Sequence, residues 1–328
     1  MRKRTRFTLL AVFVVLCVLA AACWLRFKAP PEVARLMPES DAIVYLNVRP
    51  IRAATHFDRT PLAHSASYQK FIDATGVNFE RDLDQVAFAL HAMPNPDGPN
   101  GPIAFSEVFE GRFDAERLGR YLASLATRQE TYAGRTIYAI PSENRTLRVA
   151  VLGYDLIAAS NMPTPEQIHS ILDRSRAAAS PFSGSSLLAA RFGDVPLFAR
   201  DAWAIGRIGL PFAANGRISV LGLELPMPAE ATFVASLHYT SALHLRIDEI
   251  AKDDAEAVQI TQSLNSLLTL ARNLQQVQQP TPRTPEDIAI RQFMDSLAIV
   301  QHKDRTTLTA IIPTDALKRF ANPAPEGP

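Results

Sequence analysis

The chain opens with a basic stretch followed at once by an apolar one, and this pair limits where all later residues can fold. Four cationic residues lie within residues 1–6, and residues 7–25 are apolar apart from Thr8 and two cysteines. As a helix, this run would be about 28 Å long, close to the roughly 30 Å of hydrocarbon in a bilayer. Residues 1–28 therefore predict a signal anchor, with a basic cytoplasmic end and a transmembrane helix.

The end of the apolar run leaves two alternatives open. Ala20, Ala21 and Ala22 are small residues of the kind that a signal peptidase recognises, and Cys23 follows them as a candidate lipidation site. A bacterial lipobox usually has Leu, Val or Ile three residues before the cysteine, but Ala20 occupies that position. A cleaved signal usually has only about 7–15 apolar residues, so the length of this run favours a retained anchor over cleavage or lipidation.

Charge on the two sides of the run predicts its orientation. Four basic residues precede it, whereas only Arg26 and Lys28 closely follow it. The positive-inside rule then places the N-terminus in the cytoplasm and the body on the other side of the membrane. The expected location is a bacterial inner membrane, with a single pass and the body in the periplasm or another extracytoplasmic space.

The composition of the body excludes several classes of function. After residue 28 the chain has 28 basic and 33 acidic residues, a net charge of −5. Because nucleic acids bind clustered Lys and Arg, this balance argues against a nucleic-acid partner. Both cysteines, Cys17 and Cys23, lie in the apolar run, so the body has neither disulfides nor cysteine-ligated zinc. No phosphate-binding loop or other cofactor motif is present, and no cofactor is expected.

Strand-like and helix-like segments alternate along the body. Residues 42–48 and 86–91 are short and β-rich, and residues 114–126 have the pattern of a helix. Hairpin-like pairs, such as residues 136–140 and 147–152 around a polar turn, indicate antiparallel pairing. The predicted fold class is α+β, with largely antiparallel sheets and helices packed on them.

Short matches indicate that the second half of the body repeats the first. Residues 41–54 match 201–214, and Asn144-Arg145-Thr146 matches Asp304-Arg305-Thr306, both at an offset of 160, while Asp114-Ala115-Glu116 matches Asp254-Ala255-Glu256 at an offset of 140. The alternative is that α+β proteins reuse the same helix caps and hairpins. The matches predict an anchor at 1–28, a first α+β repeat at 29–180, a second at 181–321 and a disordered Pro-rich tail at 322–328.

This order of elements resembles an uncharacterised group of bacterial exported proteins, which have duplicated strand–helix–strand–strand units behind an N-terminal anchor or lipoprotein signal. Residues 36–46, with the sequence Leu-Met-Pro-Glu-Ser-Asp-Ala-Ile-Val-Tyr-Leu, carry the resemblance together with residues 109–117. The resemblance implies an architecture and no activity.

Ser67 and Lys70 are the main candidates for catalysis. Their Ser-x-x-Lys spacing places a hydroxyl and an amine on one helical face, as in penicillin-interacting serine enzymes. The companion motif, Lys-Thr-Gly or Lys-Ser-Gly, does not follow in the sequence. An envelope-acting serine hydrolase or acyltransferase is therefore the alternative function.

Histidines offer two further candidate sites. His56, Asp58 and His64 form a small cluster, but no helix register brings all three to one face, so they are expected on a surface loop. His238 and His244 would be too far apart for one metal ion on a continuous strand. They would face each other across a hairpin if the chain turns near Ser241. No metal site is expected.

A long helical pattern from Asp254 supplies the only candidate binding surface. Its apolar stripe predicts a packed side, formed by Ile260, Leu264, Leu267, Leu268, Ala271 and Leu274. Between residues 257 and 279 the only charged residue is Arg272. Uncharged polar groups cost less to desolvate than the Lys and Glu of an ordinary exposed face. We therefore expect a partner-contact face formed by Gln262, Asn265, Thr269 and Asn273.

Taken with the anchor, these features predict a membrane-anchored exported protein that is non-enzymatic and has a binding or structural role in the envelope. Its expected partners are the membrane, through the N-terminal helix, and either a partner protein or an apolar ligand bound between the halves. The serine hydrolase or acyltransferase with Ser67 and Lys70 remains the alternative.

Overall fold

The computed structural model describes residues 3–59, 64–177, 183–207, 217–220, 223–226, 231–278 and 285–313. The predicted boundary between residues 180 and 181 and the predicted tail at 322–328 lie outside these residues. Among the described residues, no helix combines the length and the apolar character needed to cross a membrane. The anchor expected at residues 7–25 stays a prediction.

The first half of the chain contains seven of the strands of the main sheet. Helix α1 precedes them, and short helices connect them or follow them. The elements in order are α1 (Lys3–Lys28), α2 (Glu32–Arg35), β1 (Ala42–Asn47), α3 (Val48–Thr55), a 3₁₀ turn (Phe57–Arg59), α4 (Ala66–Thr75), α5 (Phe79–Asp82), β2 (Leu83–Ala92), β3 (Ile103–Gly111), α6 (Ala115–Leu125), β4 (Arg128–Tyr132), β5 (Arg135–Ser142), β6 (Arg145–Val151), β7 (Leu156–Ser160) and α7 (Glu166–Arg176).

The second half contains fewer strands of the main sheet and longer helices. The elements in order are α8 (Ser186–Arg191), a 3₁₀ turn (Phe192–Asp194), β8 (Ala202–Gly206), β9 (Arg217–Val220), β10 (Leu223–Pro226), β11 (Thr232–Tyr239), β12 (Ala242–Ile250), α9 (Asp254–Gln278), α10 (Pro285–Ser296), β13 (Ala298–His302) and β14 (Arg305–Pro313). Strands β9 and β10 pair with each other in a separate small sheet.

The main sheet has twelve strands in the order β13-β14-β12-β11-β8-β1-β2-β3-β7-β6-β5-β4. Its pairings are antiparallel. The α+β class with a large antiparallel sheet is therefore confirmed. The two halves contribute to one sheet, because β1 and β8 pair directly and join them.

The strand register relates the two sides of the sheet. In the β1–β8 pair, Val44 lies opposite Ala204, and the same number of residues pairs on each side of it. A two-fold rotation normal to the sheet at this point exchanges β1 with β8, β2 with β11 and β3 with β12. Helices α6 and α9 follow β3 and β12. The matched turns Asn144-Arg145-Thr146 and Asp304-Arg305-Thr306 do not occupy exchanged positions, because β14 occupies the position of β7. Duplication stays a prediction.

One face of the sheet, named here the α7 face, is covered by short helices. Helices α2, α7 and α8 contribute buried side chains to a core with sheet residues that alternate along each strand. The sheet residues of this core are at most 3% exposed, and they include Ile43, Tyr45, Ala87, Ala89, Val108, Ala158, Trp203, Ile205 and Val234. Burial of this continuous apolar layer across both halves is the main stabilising term of the fold.

The opposite face, named here the α9 face, is covered at its two sides. Helix α6 packs Leu118 and Leu122 against Val149, Ile157 and Ala159 in the first half. In the second half, α9 contacts β13 and β14. Between these helices several apolar sheet residues are only half-buried, namely Val44, Leu46, Phe88, Leu90 and Phe105. The two faces therefore differ in how completely helices cover them.

Candidate functional site

Helix α9 begins with side-chain caps that fix its first turn. The Asp253 carboxylate accepts a hydrogen bond from the backbone N–H of Glu256 at 2.9 Å. The Glu256 carboxylate in turn accepts one from the backbone N–H of Lys252 at 2.8 Å. The two bonds together satisfy backbone donors that the helix itself leaves unpaired. The predicted start at Asp254 is the first helical residue, and Asp253 is its cap.

The inner side of α9 lies on the edge of the sheet. The Thr306 hydroxyl donates to the carbonyl of Ala257 at 3.1 Å and lies 2.9 Å from the Thr261 hydroxyl. Of the apolar stripe expected to be packed, Ile260, Leu264, Leu267, Leu268 and Ala271 are half-buried. Leu274 is different, because 44% of it is exposed. The stripe thus faces the sheet for most of its length and leaves it near the end of the helix.

The single cation of this stretch is directed into the protein. The Arg272 guanidinium donates to the carbonyl of Met294 at 2.9 Å and to that of Leu297 at 2.7 Å. Carbonyls at the C-terminal end of a helix lack internal donors and carry partial negative charge, and α10 ends at Ser296. Arg272 therefore caps α10 and adds no charge to the solvent-facing side of α9.

The exposed side of α9 consequently combines uncharged polar groups with apolar ones. The four residues predicted as a partner-contact face, Gln262, Asn265, Thr269 and Asn273, are all exposed. Beside them lie Leu270, Leu274 and Val277, which are 49%, 44% and 80% exposed. We name this set of seven residues the uncharged face. Its apolar members recur at intervals of three and four residues, and so form a second stripe that the sequence analysis did not separate from the packed one.

Two of the four predicted residues, Asn265 and Thr269, donate side-chain hydrogen bonds within the chain. The Asn265 amide donates to the carbonyl of Ile299 on edge strand β13, at 3.4 Å. The Thr269 hydroxyl donates to the backbone carbonyl of Asn265 at 2.8 Å, one turn earlier. Asn265 therefore also satisfies a carbonyl of the sheet edge, which would otherwise be open to pairing with another strand.

Ser67 and Lys70 lie on the exposed side of α4. The Ser67 hydroxyl is 3.0 Å from that of Ser65, which is the N-cap of α4 and accepts from the backbone N–H of Tyr68. Within the described part of the chain, the side chains of Ser67 and Lys70 form no hydrogen bond or ion pair with a histidine or a carboxylate. The structure therefore places the proposed nucleophile and amine on open surface, without the third group that catalysis requires.

His56, Asp58 and His64, which are close in sequence, do not form one site in the structure. His56 is the C-cap of α3 with a φ of 52°, and Asp58 lies in the following 3₁₀ turn. The His64 ring instead contacts Glu80 at 3.2 Å and Gln69 at 3.3 Å. Within the described ranges, no three His, Cys, Asp or Glu residues form a group that could hold a metal ion.

His238 and His244 do face each other, because β11 and β12 form a hairpin that turns at Thr240 and Ser241. Their other contacts differ. His238 Nδ1 lies 2.9 Å from an oxygen of Asp201, whereas His244 Nε2 lies 3.3 Å from the Thr240 hydroxyl. The pair is thus a cross-strand contact in which each ring has its own polar partner.

A histidine–serine row crosses three strands in the interior, and the sequence analysis missed it. His91 Nε2 lies 3.0 Å from the Ser106 hydroxyl, which lies 3.0 Å from that of Ser160. All three side chains are buried, with His91 only 5% exposed. Burial lowers the pKa of His91 to about 4, so its ring is neutral at pH 7. Since no substrate reaches a row at this depth, the row serves to satisfy polar groups in the core.

Glu107 is the second feature that the sequence analysis missed. Its register places it on the α9 face of β3, opposite Phe88 and between Phe105 and Phe109 on its own strand. Its carboxylate forms no hydrogen bond or ion pair with the residues that the structure describes. Burial raises the pKa of Glu107 from an ordinary 4.5 to about 7. An acidic residue at the centre of an alternating Phe-x-Glu-x-Phe strand was the available sequence signal.

An open depression of about 480 Å³ lies beside α6. Its lining includes Gly119, Arg135, Tyr138, Val151 and Tyr154, with Arg135 as the one charged lining residue. A single cation without a nearby base or nucleophile does not form a catalytic group.

Comparison with known proteins gives only structural similarity. No protein-family model matches the chain, and no curated protein does. Crystal form III of the Treponema protein TP0453 is similar at a TM-score of 0.46 and 12% identity, over 88% of this chain and 96% of that one. Crystal form I of the same protein gives a TM-score of 0.44 and 11% identity, over 89% and 97%. Values at this level carry no information on function, which has to come from the residues themselves.

Proposed function

We propose that the chain is a membrane-tethered, non-enzymatic protein of the bacterial envelope that binds a partner protein through the uncharged face of α9. The observation that carries the proposal is the exposed surface of α9, which has no charged side chain from residue 258 to 277 once Arg272 is directed inward. An ordinary solvated helix of this length would have Lys and Glu on that surface.

The tether is supported by the sequence of residues 7–25 and by the exposure of α1. Its described apolar side chains from Val12 to Leu19 are between 52% and 62% exposed. A row of exposed large apolar groups is unfavourable in water and favourable in hydrocarbon. At the other end, Val33 and Ala34 of α2 are fully buried in the α7-face core. A membrane that held α1 would therefore hold the body close to its surface.

The chemistry of the uncharged face favours a protein partner. Leu270, Leu274 and Val277 offer apolar anchors at helical spacing, and Gln262 and Asn273 offer hydrogen bonds that tolerate desolvation. Charged groups are depleted at the centre of protein interfaces for the same reason. A partner with an apolar groove or helix would bury this stripe.

A site-specific crosslink tests the proposal in cells. A photo-crosslinking amino acid at Asn273 is expected to give a discrete adduct, because this residue borders the apolar stripe. The matched control is the same amino acid at Ser124, an exposed polar residue of α6. Equal adduct patterns at the two positions would contradict a binding role for α9.

A charge substitution makes the test specific for the face. Leu274→Glu is expected to abolish the Asn273 adduct, because the new carboxylate would have to be desolvated in the complex. Since Leu274 is 44% exposed, the stability of the chain alone should change little. Gln262→Glu is expected to weaken the adduct in the same direction. An adduct that survives both substitutions would show that the partner binds elsewhere.

The tether has its own test. A retained anchor predicts that the full chain resists carbonate extraction from membranes and keeps Met1 or Arg2 in its mass spectrum. A mature N-terminus at Cys23 with acyl chains would replace the transmembrane anchor by a lipid anchor. Release by carbonate without acylation would contradict a tether altogether.

A specific observation favours a second candidate, which is an apolar ligand bound between the halves. The centre of the α9 face has half-buried apolar residues, including Val44, Phe88 and Phe105, with Glu107 among them. A ligand that covered them would combine apolar contact with one hydrogen bond to that carboxyl group. Binding of an apolar fluorescent probe, seen as a rise in its emission, would support this second site if Phe88→Ser abolished it.

A further inference from the structure

We propose that the loop at residues 196–200 and the C-terminal end of α1 form one surface that lies in the headgroup layer of an anionic bilayer. The inference rests on the membrane tether proposed above and adds to it the part of the body that touches lipid. We name this the membrane-contact surface, and its members are Trp24, Arg26, Lys28, Leu197, Phe198 and Arg200.

The loop holds two apolar side chains in solvent. Phe198 is 82% exposed and Leu197 is 37% exposed, although Val195, two residues earlier, is buried in the core. The backbone N–H of Ala199 donates to the carbonyl of Pro196 at 3.0 Å and closes a turn. Phe198 is thus presented by a hydrogen-bonded turn that is fixed at its start, and moving its ring from water into an apolar phase would be favourable.

The loop is connected to the end of α1. The Arg200 guanidinium donates to the carbonyl of Lys28, the last residue of α1, at 3.5 Å. The same guanidinium lies 4.4 Å from the ring centre of Phe192, a core residue. Because Phe198 lies only two residues from Arg200, a bilayer that contains α1 has the loop within reach of its surface.

The charge of this region matches an anionic surface. Arg26 and Lys28 are exposed, and the Lys28 ammonium lies 4.8 Å from the ring centre of Trp24. The acidic residues that flank the loop are paired within the body, Asp194 with Arg305 at 2.7 Å and Asp201 with His238 at 2.9 Å. Aromatic rings with basic side chains are the typical composition of the membrane interface, and anionic lipids attract the cations.

Depth-dependent fluorescence quenching tests the contact on the full chain. In a Cys17→Ser, Cys23→Ser background, Leu197→Cys is labelled with an environment-sensitive fluorophore. The protein is reconstituted in phosphatidylcholine–phosphatidylglycerol vesicles with a spin-labelled lipid quencher near the headgroups. The control label is at Asn144→Cys, in the exposed β5–β6 turn, which lies several strands away from β8 towards the other edge of the sheet. Quenching at 197 is expected to exceed that at 144 by about threefold or more, because only the former label would lie in the interface.

A second variant separates contact by Phe198 from mere proximity. Phe198→Ser, added to the labelled protein, is expected to lower quenching at 197 towards the control value and leave the fold intact, since the side chain is exposed. Vesicles without phosphatidylglycerol are expected to lower it as well. Unchanged quenching in both would overturn the proposal. Protection from aqueous iodide without lipid quenching would also overturn it, and would indicate a second copy of the chain on this surface.

Carbonate extraction of the same vesicles distinguishes the two proposals. Retention of the protein with equal quenching at both labels would leave the tether standing and overturn the membrane-contact surface. Release of the protein with strong quenching at 197 beforehand would overturn the tether and support the contact surface alone.

Discussion

Helices α6 and α9 occupy exchanged positions on the same face of one sheet, yet their exposed sides differ. Helix α6 has 11 residues and α9 has 25. On α6, Glu116 and Arg120 form an ion pair, and Arg117 donates to backbone carbonyls of α4. On α9 the one cation of its central stretch is used to cap α10. The two sides of the sheet therefore differ both in the length of this helix and in its surface chemistry.

The sheet-facing side chains of the two helices differ in burial, and those of the shorter helix α6 are the more deeply buried. Leu118 and Leu122 of α6 are 3% and 6% exposed. The stripe of α9 is half-buried as far as Ala271, and Ala257 is the one fully buried residue among those of this helix whose burial the structure describes. Burial against the sheet therefore does not account for the length of α9. We interpret α6 as a structural helix and α9 as a helix whose outer surface has a role.

The largest expected effect is the loss of stability when a sheet-facing leucine of each helix is truncated to alanine. Leu122→Ala should lower the free energy of unfolding by about 2–5 kcal/mol, because it removes buried contacts and leaves a cavity. Leu264→Ala, on the half-buried stripe of α9, should cost only about 1–2 kcal/mol, since less area leaves water on folding. Denaturant titration followed by circular dichroism measures both. Equal costs would remove the contrast between the helices.

Glu107 on β3 and Ile247 on β12 occupy exchanged positions, so only the first half has an ionisable group there. The pH dependence of stability measures the effect of that group. Burial raises the pKa of Glu107 from 4.5 to about 7, so the folded state holds this proton more tightly than the unfolded chain. Stability from this group is therefore present below pH 4.5 and is lost as the pH rises to about 7. The loss is about 1–3 kcal/mol.

Glu107→Gln should remove that loss. The free energy of unfolding, measured at pH 5 and pH 8, is expected to fall less with pH in the variant than in the wild type. Burial lowers the pKa of His91 to about 4, so this residue adds its own pH dependence to stability, but it is present in both proteins. The difference between the two profiles therefore isolates Glu107. Parallel pH profiles would mean that water or another group solvates the carboxylate.

Helix caps are expected to give a smaller and more equal effect. The Asp114 carboxylate accepts from the backbone N–H groups of Glu116 and Arg117 at 3.1 and 3.0 Å. Asp253 does the same for Glu256 in α9. Asp114→Ala and Asp253→Ala should each cost about 0.5–2 kcal/mol in thermal or chemical unfolding. A cost confined to one helix would show that their starts are not equivalent.

The smallest effect concerns the exposed ion pair of α6. Glu116→Gln breaks the pair with Arg120 and should cost about 0.3–0.5 kcal/mol at low ionic strength. One molar salt should abolish the difference between variant and wild type, because the pair is exposed and screened. A salt-independent cost would assign Glu116 a role in packing rather than in charge pairing.

Local features of the fold were predictable from sequence, because neighbouring residues determine them. The α+β class, the β5–β6 hairpin and the helix that begins after Asp114 follow from alternation, turn chemistry and capping. The β1–β8 pairing could not be predicted, because nothing local records which strand edge meets another one 160 residues later. Hence individual strands could be found from the sequence, whereas the single sheet that joins both halves could not.

The candidate site was predictable in composition and not in geometry. The scarcity of charge in α9 was visible in the sequence, but one helical period cannot tell a packed stripe from an exposed one. Leu274 was assigned to the packed side and is exposed. Strand β13 has five residues, about 17 Å, whereas the 25 residues of α9 extend about 37 Å. The last turns of the helix therefore lie beyond the short strand beneath it.

The direct pairing of β1 with β8 sets an order on how this protein can be made. Ala42 leaves the ribosome 160 residues ahead of Ala202, a delay of about 8–32 s at translation rates of roughly 5–20 residues per second. Until then, the first half has an unpaired strand at what will become the middle of the sheet, and such edges pair readily with other chains. The nascent chain therefore passes through that interval with this strand edge open, and a fragment that ends before β8 should aggregate rather than fold as an independent domain.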